Sequence, residues 1–200
     1  MAALGQCLAV NLAGCGRGMN IEHVLTAISV AASIAAVVIA ALAFRSQKRQ
    51  SDINLQATIQ REFSAEFFSQ PHMRTTRFLA SEFGLEKLDR DSKAPLPAVV
   101  FHLMDFLDVI AVYYNRDALD HEMAFARFYY WISHYWSAFG ADIQQSEKET
   151  GLRAYANIPP MVEHMSALGK SLKWIEPHYG TSRQNLRRFF VDEMDECAGN

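Results

Sequence analysis

The sequence predicts an all-α protein, with one N-terminal transmembrane helix followed by a small cytoplasmic helical domain. The first observation is an uncharged, apolar run of 21 residues at 24–44. The second is that apolar residues beyond this run recur at spacings of three and four, as on one face of a helix. The third is that no stretch alternates apolar and polar residues in the way that half-buried strands do.

Size and composition limit the classes of protein to which the chain can belong. The 200 residues are 50% hydrophobic, which is enough for one modest folded domain with appendages. The net charge is −3 and no large basic patch stands out, so nucleic acid is not predicted as a partner. The three cysteines, Cys7, Cys15 and Cys197, are widely spaced, which argues against a disulfide framework or a structural zinc site. No cofactor is predicted.

The run at 24–44, VLTAISVAASIAAVVIAALAF, has the length of a membrane-spanning helix. At about 1.5 Å per residue it would cover roughly 30 Å, the thickness of the hydrocarbon core of a bilayer. Buried helices of soluble proteins are seldom apolar on every face over such a length. A cleaved signal peptide is the alternative, with a cleavage site at 41–43, but the run is too long and no basic segment precedes it. We therefore expect a single-pass anchor.

Basic residues beside this run predict its orientation. Arg45, Lys48 and Arg49 follow it directly, whereas Arg17, accompanied by Glu22, precedes it. The cytoplasmic flanks of membrane helices are enriched in Lys and Arg. The N-terminus is thus expected outside and the C-terminal part in the cytoplasm, at the plasma (inner) membrane.

The chain divides into four predicted segments. These are 1–23, an extracytoplasmic segment expected to be disordered; 24–44, the transmembrane helix; 45–172, the cytoplasmic helical domain; and 173–200, a C-terminal amphipathic helix and tail. Within the first segment, LAGC at 12–15 resembles a bacterial lipobox, and Met19 is an alternative translation start. Both alternatives stay open at the level of sequence.

Small residues in the anchor favour self-association. Ala32, Ala36 and Ala40 recur every fourth residue, as do Ser29 and Ser33. Such faces let two membrane helices approach closely. A homo-oligomer is therefore one predicted partner state, beside contact with the lipid bilayer and with an unidentified protein.

Helices beyond the anchor are predicted from apolar stripes and from the residues that break them. Leu55, Ile59 and Phe63 lie one turn apart and continue the first helix towards Pro71. Pro71 begins a second helix, which we expect to end at Gly84 before a polar loop. The remaining helices are predicted at 98–114, at 121–145 with Asp120 as N-cap, at 159–175 after a Pro pair, and at 181–196 with Thr181 or Ser182 as N-cap.

The aromatic stretch FYYWISHYW at 128–136 is predicted to be core rather than a cofactor box. Helical spacing places one set of side chains on the face towards the third helix: Phe125, Phe128, Tyr129, Ile132, Trp136 and Phe139. A second arc is expected to meet the last helix or a second subunit: Tyr130, Trp131, His134 and Tyr135.

Two carboxylates in the apolar third helix, Asp105 and Asp108, are the candidate site residues. With His102 they form H-x-x-D-x-x-D, but the three cannot all face one point on a helix. A metal or ligand site would therefore need a further residue, such as His134 or Glu122.

The structural alternative is a partly buried carboxylate paired with Arg127 or Arg116, because an unpaired buried charge is costly. We favour this alternative. The seven histidines are otherwise scattered, and no motif of a catalytic nucleophile is present.

The last helix is amphipathic. Its predicted apolar stripe consists of Leu186, Phe189, Phe190 and Met194, and its basic flank of Arg183, Arg187 and Arg188. Such a helix lies on an anionic membrane surface or packs on the helical core. The acidic end, DEMDE, favours packing on the core.

The pair formed by the third and fourth helices resembles the uncharacterised bacterial group called domain of unknown function 4760. The residues that carry the resemblance are Phe106, Asp108 and Ala111, then Leu119 and Asp120, then Phe125, Tyr135 and Trp136. FFSQPHMRTTRFL is similar to the group's segment after the anchor, and the likeness covers roughly residues 24–140. In the turn, Asp117 and Ala118 stand where a glycine would be expected. The resemblance implies a membrane helix with a cytoplasmic helical domain, and no known activity.

Together these features predict a membrane-anchored assembly, scaffold or sensing module without catalysis of its own. The alternative is a membrane-tethered enzyme or ligand or metal sensor. Its site would lie between the helices at 98–114 and 120–144 and would use Asp105, Asp108 and His134.

Overall fold

The computed structural model describes residues 21–90, 94–174 and 179–199, and these residues form six α-helices and no strand. The helices are α1, Ile21–Ser69; α2, Pro71–Arg90; α3, Ala98–Asn115; α4, His121–Thr150; α5, Ile158–Leu172; and α6, Arg183–Ala198. The all-α prediction is confirmed. The lipobox-like stretch at 12–15 and Met19 lie outside the described residues.

Contacts divide the chain into two units, Met1–Asp52 and Ile53–Asn200. In the first unit, eight large apolar side chains of α1 are each 51–68% exposed: Ile28, Val30, Ile34, Val37, Val38, Ile39, Leu42 and Phe44. Two described stretches, Ile28–Ser69 of α1 and Ala98–Asn115, are long and apolar enough to span a membrane by length and composition. The second of them is α3, whose buried side chains belong to the core of the second unit.

The core of the second unit lies where α3 and α4 pack together, with α2, α5 and α6 around them. α3 contributes a buried face that includes Leu103, Leu107 and Ile110. The predicted core residues of α4 are buried as expected: Phe125, Phe128, Tyr129, Ile132 and Phe139. Trp136 is partly buried and packs against this core, with its indole ring over Gly140. The ring covers the place where a larger residue at 140 would put its Cβ.

The second arc of α4 meets the last helix, as one of the two predicted alternatives stated. The rings of Tyr130, His134 and Tyr135 lie 5.3, 4.7 and 5.0 Å from the ring of Phe189 on α6. Aromatic pairs at such distances stabilise beyond the area that they bury. These contacts fix α6 to the bundle.

The end of α2 differs from the prediction. The helix does not stop at Gly84 but continues to Arg90. Leu85 and Leu88 pack against the core, and this burial outweighs the low helix propensity of glycine. Gly84 is needed there for a different reason, because an added Cβ would lie 2.4 Å from Cζ of Phe190.

The caps of the later helices follow local chemistry. The Asp120 carboxylate accepts a hydrogen bond from the Met123 amide at 2.8 Å, so the predicted N-cap of α4 is confirmed. Ser182, rather than Thr181, caps α6 through the Asn185 amide at 3.3 Å. α4 runs beyond 145 to Thr150 and is capped by Gly151, whose φ of 72° suits a glycine.

The turn before α4 contains a residue in the left-handed region. Asp117 has a φ of 55°, a conformation that favours glycine, and it stands where the sequence resemblance would place one. Its carbonyl accepts a hydrogen bond from Gln56 Nε2 at 3.0 Å, and its carboxylate lies 3.3 Å from Nε2 of His121. These contacts tie the turn to α1 and to α4.

The last helix packs on the core, mainly against α2, as the sequence favoured. Arg183 donates to the Leu88 carbonyl and Arg187 pairs with Asp89, so two of the basic residues contact the end of α2. The stripe itself needs one correction. Glu193 is buried, whereas Met194 is only partly buried.

Candidate functional site

An ion pair between Arg77 of α2 and Glu193 of α6 lies inside the bundle. The side chains are 1% and 2% exposed, and Arg77 Nε lies 2.5 Å from Glu193 Oε1. Charged side chains are almost never buried without a partner. Each of the two charges is therefore tolerated in the core because the other one compensates it.

Helix geometry explains why these two residues point inwards. Arg77 lies one turn after Met73 on the buried face of α2, and Ser81 follows one turn later. On α6, Glu193 lies three and four positions after Phe190 and Phe189, so it continues their buried stripe. Both charges thus occupy positions at which the periodicity calls for an apolar residue.

Two side chains of α4 also donate hydrogen bonds to the Glu193 carboxylate. Tyr135 donates its hydroxyl to Oε1 at 3.2 Å, and Trp131 donates Nε1–H to Oε2 at 2.9 Å. Ser81 lies 3.0 Å from the Tyr135 hydroxyl. Three donors from two helices therefore converge on one carboxylate of a third helix.

The other nitrogens of Arg77 bind the end of α1 and a second acid. Nη1 donates to the Phe67 carbonyl at 3.0 Å, one of the carbonyls that the last turn of a helix leaves without a partner. Nη2 donates to Glu196 Oε1 at 3.3 Å. The guanidinium carbon also lies 4.4 Å from the centre of the Phe67 ring, a cation–π contact.

The surroundings set the protonation of this network. Burial works to lower the pKa of Arg77, but the hydrogen bond and the charge of Glu193 outweigh it and raise the pKa above its ordinary value. Burial raises the pKa of Tyr135 well above its ordinary value, so this hydroxyl keeps its proton and acts as a donor. Burial also raises the pKa of the nearby Cys197 thiol to about 11. A thiol with such a pKa is a poor nucleophile at neutral pH.

The predicted site residues Asp105 and Asp108 contact the segment after α4. Asp105 accepts a hydrogen bond from the Tyr155 hydroxyl at 2.8 Å, and both oxygens of Asp108 lie 3.3 Å from Nδ2 of Asn157. The partners that the structure gives these carboxylates are therefore Tyr155 and Asn157, and not the expected Arg127 or Arg116. The segment between α4 and α5 folds back along α3 and supplies neutral partners instead.

The environment of Asp108 disfavours its charge. Burial raises its pKa, the hydrogen bonds from Asn157 act in the opposite direction, and the charges of Asp105 and Glu147 add to the rise. Burial and the hydrogen bond to Asp105 also raise the pKa of Tyr155. Asp108 is thus a half-buried acid held by a neutral amide.

The third predicted site residue, His134, is fully buried on α4. Its Nδ1 lies 2.6 Å from the Tyr130 carbonyl, so this nitrogen donates, and its ring stacks on Phe189 at 4.7 Å. These contacts involve α4 and α6, whereas those of Asp105 and Asp108 involve the segment after α4. The described contacts bring the two aspartates to one face but do not join them to His134.

A second cluster of titratable side chains was not predicted. Tyr114 donates its hydroxyl to Nδ1 of His164 at 3.1 Å or accepts from it, depending on the tautomer. The ring of His121 lies 5.0 Å from that of His164. Burial and the charge of Asp117 raise the pKa of Tyr114 to about 12. Among the described residues, no group of three or more His, Cys, Asp or Glu could hold a metal ion.

An open surface groove of about 560 Å³ lies where α2 begins and α6 ends. It is lined by Pro71, Arg74, Thr75, Phe78, Cys197 and Ala198. The Arg74 guanidinium donates to the Cys197 carbonyl at 3.2 Å, so this cation is engaged by the end of α6. The groove belongs to the junction of α2 with α6.

A comparison with known protein families gives a match to most of the chain. The model of a family described as domain of unknown function (DUF4760) matches residues 27–165. The chain belongs to the DUF4760 family. No curated protein and no solved structure matches it. The resemblance inferred from the third and fourth helices is confirmed, and the matched residues include Arg77, Trp131 and Tyr135 but end before α6.

The sequence carries a signal for the ion pair. Arg77 interrupts the apolar face of α2 one turn after Met73, and Glu193 interrupts that of α6 one turn after Phe189. An acid on the buried face of one helix and a base on that of another predict that the two helices pack against each other. By contrast, no periodicity points to Tyr155 and Asn157, because they lie in an irregular segment.

Glu193→Gln should destabilise the domain strongly. The substitution keeps the size of the side chain but leaves the buried Arg77 charge with the half-exposed Glu196 as its acidic partner, and breaking a buried pair costs about 3–5 kcal/mol. The measurement is the free energy of unfolding in urea of the purified full chain in detergent, followed by tryptophan fluorescence. Glu196→Gln is the matched control, because it neutralises the other acid that contacts Arg77 but sits at a side chain that is 54% exposed. Equal losses in the two variants would contradict the role of the buried pair.

Asp108→Asn should leave the free energy of unfolding unchanged within about 0.5 kcal/mol at pH 7, or raise it slightly. The pKa of Asp108 is raised in the folded state, so the folded chain binds this proton more tightly than the unfolded chain. Ionised Asp108 therefore lowers stability at neutral pH, and the cost disappears as the pH falls through its folded pKa. Any gain of the variant should disappear in acid, as urea unfolding at several pH values would measure. A loss as large as that of Glu193→Gln would contradict this reasoning.

Proposed function

We propose that the chain is a single-pass membrane protein anchored by residues 24–44. Its N-terminus lies outside, and its helical domain lies at the cytoplasmic face of the plasma membrane. There the domain acts as an assembly, scaffold or sensing module, without catalysis of its own.

The exposed apolar surface of α1 carries this proposal. Transfer of one large apolar side chain out of water stabilises by about 1.5–3 kcal/mol. Eight such side chains between Ile28 and Phe44 are more than half exposed, so an aqueous surrounding would be very unfavourable. α3 is apolar too, but Leu103, Leu107 and Ile110 on it are fully buried. α1 needs an apolar surrounding that the described chain does not provide.

The orientation is supported by charges next to the anchor. Arg45, Lys48 and Arg49 are exposed on α1 directly after the apolar run. Cations at this position favour the cytoplasmic side during insertion.

The polar groups of the core support a binding rather than a chemical role. Arg77, Glu193, Tyr135 and Trp131 direct their donors and acceptors at one another. A network of this kind makes a rigid, specific core. Rigid helical surfaces suit the recognition of other proteins.

Self-association through the anchor is part of the proposal. The small residues Ala32, Ala36 and Ala40 share one face of α1. The Ser33 hydroxyl donates to the Ser29 carbonyl at 2.9 Å, so its proton is already hydrogen-bonded within the helix. The other proposed partner is a cytoplasmic protein of unknown identity.

A C-terminal fusion to a fluorescent protein that matures only in the cytoplasm should be fluorescent. A C-terminal fusion to alkaline phosphatase, which is active only outside, should be inactive. Replacing Arg45, Lys48 and Arg49 by Gln should raise phosphatase activity severalfold, because the charges that retain this flank are lost.

The matched control for the orientation removes three cations that lie more than 100 residues after the run at 24–44 in the sequence. Lys148, Arg153 and Lys170 are exposed, and their replacement by Gln should leave both reporters unchanged. Phosphatase activity in the unaltered fusion would contradict the orientation. Release of the full chain from membranes at alkaline pH would contradict the anchor itself.

Ala32→Leu together with Ala36→Leu should weaken self-association in membranes about tenfold, equal to about 1.4 kcal/mol. The larger side chains separate the helix backbones without lowering hydrophobicity. Energy transfer between donor-labelled and acceptor-labelled copies measures the effect. Val30→Leu with Val37→Leu is the control on another face of the helix. Equal transfer in all three proteins would contradict dimerisation through the small face.

A further inference from the structure

The side chain of Gln60 on α1 is a buried amide without a partner. It is 2% exposed, and neither its Oε1 nor its Nε2 has a hydrogen-bond partner among the described residues. Buried polar groups normally make hydrogen bonds, because burial removes the bonds that they would make to water. The packing of α1 at Gln60 therefore carries a cost that no hydrogen bond offsets.

The first turns of α1 that belong to the second unit are held weakly. We call residues 53–69 the docked part of α1, because the second unit begins at Ile53. Gln56 Nε2 donates to the Asp117 carbonyl at 3.0 Å, but this hydrogen bond is exposed, so water competes for both groups. Ile53 and Leu55 are 48% and 59% exposed and add little burial.

The other end of the docked part is held firmly at Phe67. This residue is fully buried, and its ring lies 5.8, 6.3 and 6.0 Å from the rings of Phe106, Phe128 and Trp131. Its carbonyl accepts the hydrogen bond from Arg77 Nη1. Aromatic contacts and hydrogen bonds from charged donors are among the stronger interactions of a core. The position of α1 is thus fixed at Phe67.

A helix that is fixed at one end and weakly held at the other can tilt as a rigid rod. At about 1.5 Å per residue, Gln60 and Gln56 lie about 10 Å and about 16 Å from Phe67 along the axis. A tilt of about 20° would move Gln60 by about 3.5 Å, more than the width of a water molecule, and Gln56 by about 6 Å. Such a tilt would hydrate the Gln60 amide and would break the hydrogen bond of Gln56.

We propose that α1 pivots about Phe67 between a closed state, in which Gln56 binds the Asp117 carbonyl, and an open state, in which the Gln60 amide is hydrated. The pivot deepens the proposed sensing role, and its use in sensing rests on that role. In the open state Asp117 loses its contact with α1 but keeps the contact of its carboxylate with His121 at the start of α4. A movement of α1 is thereby passed to the turn between α3 and α4.

Two substitutions on α1 should move this equilibrium in opposite directions. Gln60→Leu replaces the unpartnered amide by an apolar group of similar size, so it favours the closed state. Gln56→Ala removes the hydrogen bond to Asp117, so it favours the open state. Gln70→Leu is the matched control, because the same change is made at an exposed side chain beyond the pivot.

Distances between two spin labels on the purified full chain in detergent measure the pivot. The three cysteines are first replaced by Ser. Labels at Leu55→Cys and Lys170→Cys report on the weakly held end, because both positions are exposed and α5 packs on α3 and α4. Labels at Ser69→Cys and Lys170→Cys report on the fixed end. An excess of unlabelled chain removes distances between copies.

Two distances for the Leu55/Lys170 pair and one distance for the Ser69/Lys170 pair are the expected result. The population with the longer distance should fall at least fivefold in Gln60→Leu and rise severalfold in Gln56→Ala, whereas Gln70→Leu should not change it. A single distance that no variant changes would overturn the pivot. An unchanged population in Gln60→Leu would also overturn it, because the amide would then have a partner in the closed state, such as a bound water.

The pivot and the membrane anchor fail in different tests. The label distances are measured in detergent and do not depend on the orientation of the chain in a membrane, whereas release at alkaline pH contradicts the anchor. Two label distances in a chain that alkaline pH releases would keep the pivot and exclude its use in sensing at a membrane. One unchanged distance in a chain that stays in the membrane would keep the anchor and exclude the pivot.

Discussion

The buried ion pair between Arg77 and Glu193 is the constraint on which the rest of the helical domain depends. Arg77 contacts the last turn of α1 through the Phe67 carbonyl, and Glu193 contacts α4 through Trp131 and Tyr135. Four helices therefore meet at two charged side chains. Each helix must adopt a fixed rotation, because a turn of any one of them would withdraw a donor or an acceptor from a buried site.

This ion pair explains why α6 has one fixed position along α2, which apolar packing alone would not determine. Leu186, Phe189 and Phe190 would tolerate small shifts of α6 along α2, since hydrophobic contacts have little direction. A shift of one residue, however, would place Met194 or Asp192 where Glu193 receives three donors. We interpret the pair as a device that fixes the register of α6, at a cost in stability that a well-packed apolar pair would avoid.

The parts of the fold that follow local chemistry could be predicted from the sequence. The start of α2 at Pro71, the Asp120 cap and the aromatic face of α4 depend on neighbours within a few residues. The end of α2 could not be predicted, because a glycine such as Gly84 often marks the end of a helix. Here the glycine lies inside the helix to make room for the ring of Phe190, which is distant in sequence. Glu193 was missed for a related reason. Its charge suggested an exposed face, although its spacing from Phe189 placed it with the buried residues.

The order of the chain gives the ion pair a further consequence. Arg77 and Glu193 are separated by 116 residues. During synthesis from the N-terminus, α2 and α4 are therefore complete before the Glu193 carboxylate is available. The apolar run at 24–44 precedes both residues in the chain. Among the described helices, α6, which closes the domain, is also the last to be made. Until α6 is made, the buried face of α2 carries the Arg77 charge without the Glu193 carboxylate, which is costly in a buried site.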